Sequence, residues 1–162
     1  MKTLIVYMSV HNGNTRKIAG AMADVLDADM FKPDEISPGY AKDYELMGFG
    51  SGIYFGRHHK SLLRFIENTD GKGKKAFIFS TSGNKRLPII NNFDRAILKK
   101  LSAGGFDVVG NFNCRGRKAY YNNPGFMIRP FCKSREEDRP NGKDIEDARI
   151  FAERMKTLFS GK

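Results

Sequence analysis

Short apolar runs alternate with helical patterns along this chain, and this alternation constrains the fold more than any other feature of the sequence. The first run contains Leu4, Ile5 and Val6, and the helical pattern after it ends near Leu26. Parallel strands need a crossover connection, which is usually a helix. The sequence therefore predicts an α/β fold with a doubly wound, five-stranded parallel sheet. The predicted strands span residues 1–8, 28–31, 44–50, 74–80 and 106–114, and the predicted helices begin near residues 14, 59, 89 and 144.

A polar segment with one glycine separates the first predicted strand from the first predicted helix. Its place at the carboxyl end of a strand, its unpaired backbone N–H groups and the helix dipole all favour an anion there. It has neither the lysine of a triphosphate loop nor the glycines of a dinucleotide loop, so a phosphate monoester fits it better. The alternative is a polar turn in which Asn14 or Thr15 caps the helix. The candidate phosphate-binding residues are Ser9, His11, Asn12, Gly13, Asn14 and Thr15.

This segment resembles the FMN phosphate loop of the flavodoxins, which usually reads Ser/Thr-x-Thr-Gly-Asn-Thr after an apolar first strand. The resemblance rests on Ser9 and on the run Gly-Asn-Thr at residues 13–15. Between them the chain is one residue longer than the family pattern, and Asn12 stands where the family has threonine. The resemblance implies the strand order 2-1-3-4-5, with the ligand at the switch point beside strands one and three.

Two further segments follow predicted strands and are expected to meet the first at the same sheet edge. The second has two aromatic side chains among glycines, on which a flat ring can stack. The third offers hydroxyls and backbone N–H groups to the polar edge of such a ring. A phosphate at one end and a planar ring at the other describe FMN, which is the predicted cofactor. The candidate FMN-binding residues here are Gly52, Ile53, Tyr54, Phe55 and Gly56 in the second segment and Thr81, Ser82, Gly83 and Asn84 in the third.

Simpler interpretations of these two segments remain open. Tyr54 and Phe55 lie near a strand end, where aromatic side chains often pack in the core, and residues 81–84 have the composition of an ordinary turn. The second segment is longer than that of the small flavodoxins and lacks their Trp-Gly-Asp. The third lacks the tyrosine that precedes their Phe-Cys-Gly run. Tyr120 or Tyr121, which follow the fifth predicted strand, are alternative sources of an outer stacking face.

The charge of the chain is unusual for the flavodoxins, which are typically acidic. The net charge is +10, and residues 82–162 hold 17 of the 28 lysines and arginines but 9 of the 18 acidic residues. A basic surface favours acidic partners, such as a redox protein with a negative docking face, an anionic ligand, nucleic acid or a membrane surface. The long basic loop at residues 115–143 mixes cations with aromatic residues, which is typical of a partner contact or substrate lid and, alternatively, of nucleic-acid binding.

Other reactive residues give weaker predictions. His58 and His59 have too few neighbouring ligands for zinc and are expected to begin a helix near the flavin and to titrate near neutral pH. Cys114 and Cys132 form no Cys-x-x-Cys motif, so reduced thiols in a cytoplasmic protein are expected. No Ser-His-Asp arrangement is expected from the loops. The amino terminus lacks the pattern of a signal peptide, and no apolar run reaches the length of a membrane span.

The predicted organisation is a single FMN-binding domain over residues 1–162. The resemblance implies a flavodoxin-like electron-transfer protein that exchanges electrons with redox partner proteins. An alternative is an FMN-dependent oxidoreductase acting on a small molecule such as a quinone, a porphyrinogen or a free flavin, because the long second segment and the 115–143 loop are able to shape a substrate pocket. A third hypothesis is a nucleic-acid-binding protein with a vestigial flavin site.

Overall fold

The fold was obtained as a computed structural model, which describes residues 1–10, 12–83, 93–116 and 139–160. Strands and helices alternate along the chain, as the apolar pattern predicts. The strands are β1 (Thr3–Met8), β2 (Asp29–Phe31), β3 (Leu46–Tyr54), β4 (Arg57–His58), β5 (Lys75–Ser82) and β6 (Asp107–Arg115). The helices are α1 (Asn14–Leu26), α2 (Lys60–Glu67), α3 (Arg95–Ala103) and α4 (Gly142–Ser160), with a 3₁₀ helix at Pro38–Asp43.

Five strands form a parallel sheet in the order β2-β1-β3-β5-β6. The predicted order 2-1-3-4-5 is confirmed, because the shift in numbering comes only from β4. That two-residue strand pairs antiparallel with β3 and lies off the main path of the sheet. The order reverses between β1 and β3, so the carboxyl ends of these two strands flank the switch point.

Alternate residues of β1 face two separate apolar layers. Leu4 and Val6 belong to the layer that contains side chains of α2 and α3, while Ile5 and Tyr7 belong to the layer that contains side chains of α1 and α4. Helices therefore cover both faces of the sheet, which confirms the doubly wound prediction. In the described part of the chain, every helix is too short or too polar to cross a bilayer.

Glycines in β3 make room for aromatic side chains of β5. Gly48 pairs with Phe77 in the ladder and Gly50 pairs with Phe79, and both phenylalanines are fully buried. A Cβ at either glycine would collide with the ring of its partner. The sequence favoured strong turning or a close backbone approach at these glycines, and for this pair the approach is to the rings of the neighbouring strand.

Several predicted boundaries differ from the structure. β3 continues to Tyr54 and β5 to Ser82, so each runs beyond the end that the sequence predicted. The connection predicted as an irregular loop contains the 3₁₀ helix. α4 begins before Asp144, because Asn141 and Asp144 form reciprocal hydrogen bonds between side chain and backbone that cap its first turn. The predicted start of α3 near residue 89 and residues 117–138 of the basic loop lie outside the described residues.

Candidate functional site

The carboxyl ends of β1, β3 and β5 lie side by side, as the predicted site requires. Met8 pairs with Ser51, and Gly52 pairs with Thr81, so the segments that follow these strands share one edge of the sheet. Two hydrogen bonds join the segments directly. The Val10 N–H donates to the Tyr54 hydroxyl at 3.2 Å, and the hydroxyl oxygens of Thr15 and Thr81 are 2.9 Å apart. Two predicted site residues, His11 and Asn84, lie outside the described residues.

A glycine stands at the start of α1. Gly13 is the N-cap residue in a left-handed conformation (φ 65°), preceded by Asn12 at φ 57°, and among the described residues this N-cap makes no side-chain cap hydrogen bond. The interpretation in which Asn14 or Thr15 serves as the cap is therefore wrong, because both already lie inside the helix. The N–H groups of this turn and the positive end of the helix dipole favour an anion in front of Gly13.

The hydroxyl of Ser9 is buried next to this helix start. Its Oγ has no hydrogen-bond partner among the described residues. A buried hydroxyl without a partner is unfavourable by about 1–3 kcal/mol, so a ligand that supplies one is stabilised there. Thr3 Oγ1 is also buried without a hydrogen-bond partner among the described residues. It lies at the opposite end of β1 and is therefore away from the switch point.

The second segment is a β-hairpin. Gly52, Ile53 and Tyr54, which the sequence placed in a loop, lie in β3, and Tyr54 pairs with Arg57 of β4. The two turn residues, Phe55 and Gly56, both have positive φ (49° and 75°), which is the arrangement of a type I′ turn. The phenyl ring of Phe55 is fully exposed.

Tyr54 connects the hairpin to the first segment. Its ring packs edge-on against His59 (centroids 5.6 Å apart), and its hydroxyl accepts the Val10 N–H. Burial raises the pKa of Tyr54, and the hydrogen bond from Val10 opposes this only in part. Tyr54 and Phe55 are absent from both apolar layers, so the interpretation as ordinary core packing is wrong. A surface cavity of about 450 Å³ is lined by Val10, Tyr54, Phe55, Arg57, His58, His59 and Lys60.

The third segment is more regular than the sequence suggested. Thr81 and Ser82 are buried residues of β5 rather than loop residues, and only Gly83 of the described part follows the strand. The Ser82 carbonyl accepts the N–H of Gly116, the residue after β6, at 3.0 Å. A Cβ at Gly116 would lie 2.7 Å from Nδ2 of Asn14, so the end of β6 closes over the first turn of α1.

A buried Ser-His-Asp chain lies beneath the hairpin, although the sequence predicted that the loops would form none. Nδ1 of His58 is 3.1 Å from the Ser51 Oγ, and its Nε2 is 3.1 Å from Oδ1 of Asp94. All three residues are at most 3% exposed. A serine nucleophile must be reached by its substrate. Ser51 is fully buried and a substrate cannot reach it. These three residues therefore do not form the nucleophilic site of a hydrolase.

The two histidines have different environments. His58 lies in β4 rather than at a helix start, whereas His59 is the N-cap of α2 and its side chain accepts the Ser61 N–H. Burial, with the charge of Lys60, lowers the pKa of His59 below its ordinary value of 6.5, which moves its titration away from neutral pH. The described residues contain no group of three or more His, Cys, Asp or Glu residues able to hold a metal ion.

Cys114 is expected to resist thiol reagents in the folded protein. Burial, together with the charge of Asp144, raises the pKa of this free thiol to about 12. At about pH 8 its thiolate fraction is then about 10⁻⁴, so we expect labelling about 1,000-fold slower than for an ordinary thiol. The measurement is the labelling rate of the Cys132→Ser protein. The same protein in denaturant is the control, and rapid labelling of the folded form would contradict the prediction.

Comparison with known proteins agrees with this architecture. The family model described as the flavodoxin domain matches residues 4–122. An uncharacterised protein of Methanocaldococcus jannaschii is 42% identical over 153 residues, which cover 94% of this chain and 96% of that protein. Oxidised flavodoxin 2 from Bacillus cereus superimposes with a TM-score of 0.72 at 18% identity, over 98% of this chain and 100% of the other. A flavodoxin from the domain Archaea gives a TM-score of 0.66 at 15% identity, over 98% of both chains.

Proposed function

This chain belongs to the flavodoxin family, and on that premise we propose that it binds FMN and exchanges electrons with redox partner proteins. The observation that carries the proposal is the buried Ser9 hydroxyl, which has no partner among the described residues and comes shortly before Gly13, the N-cap residue of α1 that has no capping side chain of its own. Both features are satisfied by a phosphate, which supplies acceptor oxygens and negative charge.

The phosphate end of the site is formed by the first segment. Ser9 offers its hydroxyl, and the first turn of α1 after Gly13 offers backbone N–H groups. Among the described residues, a Cβ at Gly13 would meet nothing within 4 Å, so there is free space beside this residue. We propose Ser9, His11, Asn12, Gly13, Asn14 and Thr15 as the phosphate-binding residues.

The ring end is assigned to the hairpin and the end of β5. When bound, FMN supplies the capacity to accept and release electrons. The protein's part is to hold the ring, through the half-buried Tyr54 and the exposed Phe55, and to surround its polar edge with backbone groups. The proposed ring-binding residues are Gly52, Ile53, Tyr54, Phe55, Gly56, Thr81, Ser82, Gly83 and Asn84.

Partner proteins with acidic docking faces suit the charge of this chain. The net charge is +10, and at the hairpin the exposed cations Arg57 and Lys60 flank the exposed ring of Phe55. Opposite charges steer association and hold two proteins in register, and an exposed aromatic residue gives them an apolar contact. We also keep the cytoplasmic location, which the sequence suggested, as part of this proposal.

One observation favours the alternative of an FMN-dependent oxidoreductase. The cavity of about 450 Å³ beside Tyr54 and Phe55 has apolar walls and two cations, Arg57 and Lys60, at its lining. This composition suits a small aromatic anion or a quinone. The carrier and the enzyme would use the same cofactor site. They differ in whether a partner protein or a small-molecule substrate exchanges electrons with the cofactor.

A spectroscopic experiment separates these functions. We expect the purified protein to take up FMN and show the absorption bands of a bound flavin. NAD(P)H added alone should leave the bands unchanged in a carrier, while a reductase protein should bleach them in a salt-sensitive manner. Direct bleaching by NAD(P)H would establish the enzyme instead. A protein that takes up no FMN would refute both redox proposals, and nucleic-acid binding that survives physiological salt would then support the third hypothesis.

A further inference from the structure

The Ser51 hydroxyl lies between two acceptors but has a single proton to give. Its Oγ is 2.8 Å from the carbonyl oxygen of Gly52 and 3.1 Å from Nδ1 of His58. It also accepts the backbone N–H of His59 at 3.0 Å. Since a hydroxyl donates one hydrogen bond, Ser51 satisfies either Gly52 or an unprotonated Nδ1, but not both.

The proton count around His58 then defines two states. In the first, the Ser51 O–H donates to Gly52, so Nδ1 must carry a proton and donate to Ser51. Nε2 faces the Asp94 carboxylate and also donates, which makes His58 an imidazolium. In the second, His58 is neutral with its proton on Nε2, and the Ser51 hydroxyl turns towards Nδ1 and releases the Gly52 carbonyl.

Asp94 holds the ring in place in both states. Its Oδ1 accepts from Nε2 of His58 at 3.1 Å, and its Oδ2 accepts from the Asn111 amide at 2.8 Å. Nε2 therefore keeps its proton, and any proton gained or lost is the one on Nδ1. The only other change is a rotation of the Ser51 hydroxyl, in which no bond to hydrogen breaks.

We propose that His58 is a positioning residue for the flavin site, whose protonation decides, through Ser51, whether the Gly52 carbonyl is engaged by the protein or released to a ligand. Gly52 lies in the segment that is assigned to the flavin ring, so the effect on FMN rests on the proposed function. The hydrogen bonding of the Gly52 carbonyl in the ligand-free protein does not depend on the proposed function.

The charges around the buried ring act in both directions. Asp94 at the start of α3 contacts the ring and favours the cation, whereas cations on the neighbouring elements disfavour it. The titratable and charged groups on the elements next to His58 are Tyr54 on β3, Arg57 on β4, His59, Lys60, Arg64 and Glu67 at the N-cap of α2 and within it, and Asp94, Arg95, Lys99 and Lys100 at the N-cap of α3 and within it.

The proposal is tested by NMR without any ligand. Gly-Ile occurs once in this sequence, at residues 52 and 53, so ¹³C-carbonyl glycine combined with ¹⁵N isoleucine marks the Gly52 carbonyl alone. We expect its ¹³C shift to change in step with the ¹⁵N signals of the His58 ring when the pH is varied. The His58 signals are assigned by comparison with His58→Asn.

Two variants sharpen this test. In Ser51→Ala, the Gly52 carbonyl shift should no longer follow the His58 ring signals when the pH is varied. Ser61→Ala, which removes a hydroxyl 2.8 Å from the neighbouring His59 ring, should leave both titrations unchanged. A Gly52 shift that ignores His58 in the wild-type protein would overturn the proposal, whether or not Ser51→Ala folds. A shift that still follows His58 in Ser51→Ala would overturn it as well.

FMN titrations extend the test to the flavin site. A ligand donor that needs the Gly52 carbonyl competes with Ser51 only when His58 is protonated, so binding should tighten as the pH rises. As the pH rises, we expect the FMN dissociation constant to fall by about 2- to 10-fold more in wild type than in Ser51→Ala. This factor corresponds to the free energy of one neutral hydrogen bond. Comparison of the two proteins removes the titration of the phosphate itself. Equal pH profiles would refute the effect on the flavin, whereas the absence of FMN binding in both would refute the proposed function and leave the NMR result standing.

Discussion

The Ser9→Asp protein is expected to bind FMN about 100-fold more weakly than wild type, while its affinity for riboflavin changes little. The substitution places a carboxylate at the half-buried residue 9, whose hydroxyl oxygen is buried, shortly before the start of α1. A phosphate monoester carries a charge of about −1.5 to −2 at neutral pH. Like charges brought together in a site are unfavourable by several kcal/mol, and about 3 kcal/mol corresponds to about 100-fold in affinity. Riboflavin has no phosphate, so it is insensitive to this repulsion. Titration of flavin fluorescence measures both affinities.

Ser102→Asp is the matched control for this experiment, because it adds the same charge to an exposed serine of α3. It should leave both affinities near their wild-type values. Ser9→Ala removes the hydroxyl without adding charge, and a smaller loss of about 10- to 100-fold is expected for a hydrogen bond to a charged group. Unchanged FMN binding in Ser9→Asp would contradict the phosphate site. An equal loss of riboflavin binding would indicate a damaged fold instead.

Replacing Asp94 with alanine is expected to lower the free energy of unfolding by about 2–5 kcal/mol, because two donors lose their acceptor and each buried unsatisfied donor is unfavourable by about 1–3 kcal/mol. Asp94 is 1% exposed, and it accepts hydrogen bonds from His58 and from Asn111. Alanine leaves both of these donors without that acceptor. Asp94 is also the N-cap residue of α3, but its side chain makes no cap hydrogen bond, so the loss is not a capping effect. Denaturant unfolding followed by circular dichroism measures the change.

Asp107→Ala controls for the loss of a carboxylate as such. Asp107 pairs with Lys75 at 2.9 Å, but its side chain is 66% exposed. Exposed ion pairs contribute about 0–1 kcal/mol, so this variant should be almost as stable as wild type. Equal destabilisation by Asp94→Ala and Asp107→Ala would show that the buried hydrogen bonds of Asp94 stabilise the fold no more than an exposed ion pair does.

The sequence predicted the sheet well because its signals were local. Each parallel strand is a short apolar run bounded by turn residues, and the helix that follows has an apolar stripe, so neighbouring residues alone reveal both. Parallel pairing then requires the carboxyl ends of neighbouring strands to share an edge. The contacts of Val10 with Tyr54 and of Thr15 with Thr81 follow from that topology. The binding roles of these residues stay predictions.

The buried chain beneath the hairpin was missed because nothing local marks it. His58 and Asp94 are 36 residues apart, and Asp94 stands in the sequence as an ordinary charged residue before a helix. The lengths of β3 and β5 were underestimated for a related reason. Glycines and small polar residues are poor strand formers in isolation. The missed residues Ser51, Gly52, Thr81 and Ser82 pair with neighbouring strands, and only the strand register reveals this.

The conformation of Phe55 has a consequence for protein engineering. Its positive φ at the first position of a type I′ turn is one that asparagine or glycine adopts with less strain, and strain of this kind is worth about 1–3 kcal/mol. A redesign that optimises stability alone would therefore replace Phe55 with asparagine and obtain a more robust molecule. It would also delete the exposed ring beside the proposed flavin site. At this turn, thermal robustness and the display of an aromatic side chain are competing design goals, and the natural sequence takes the second.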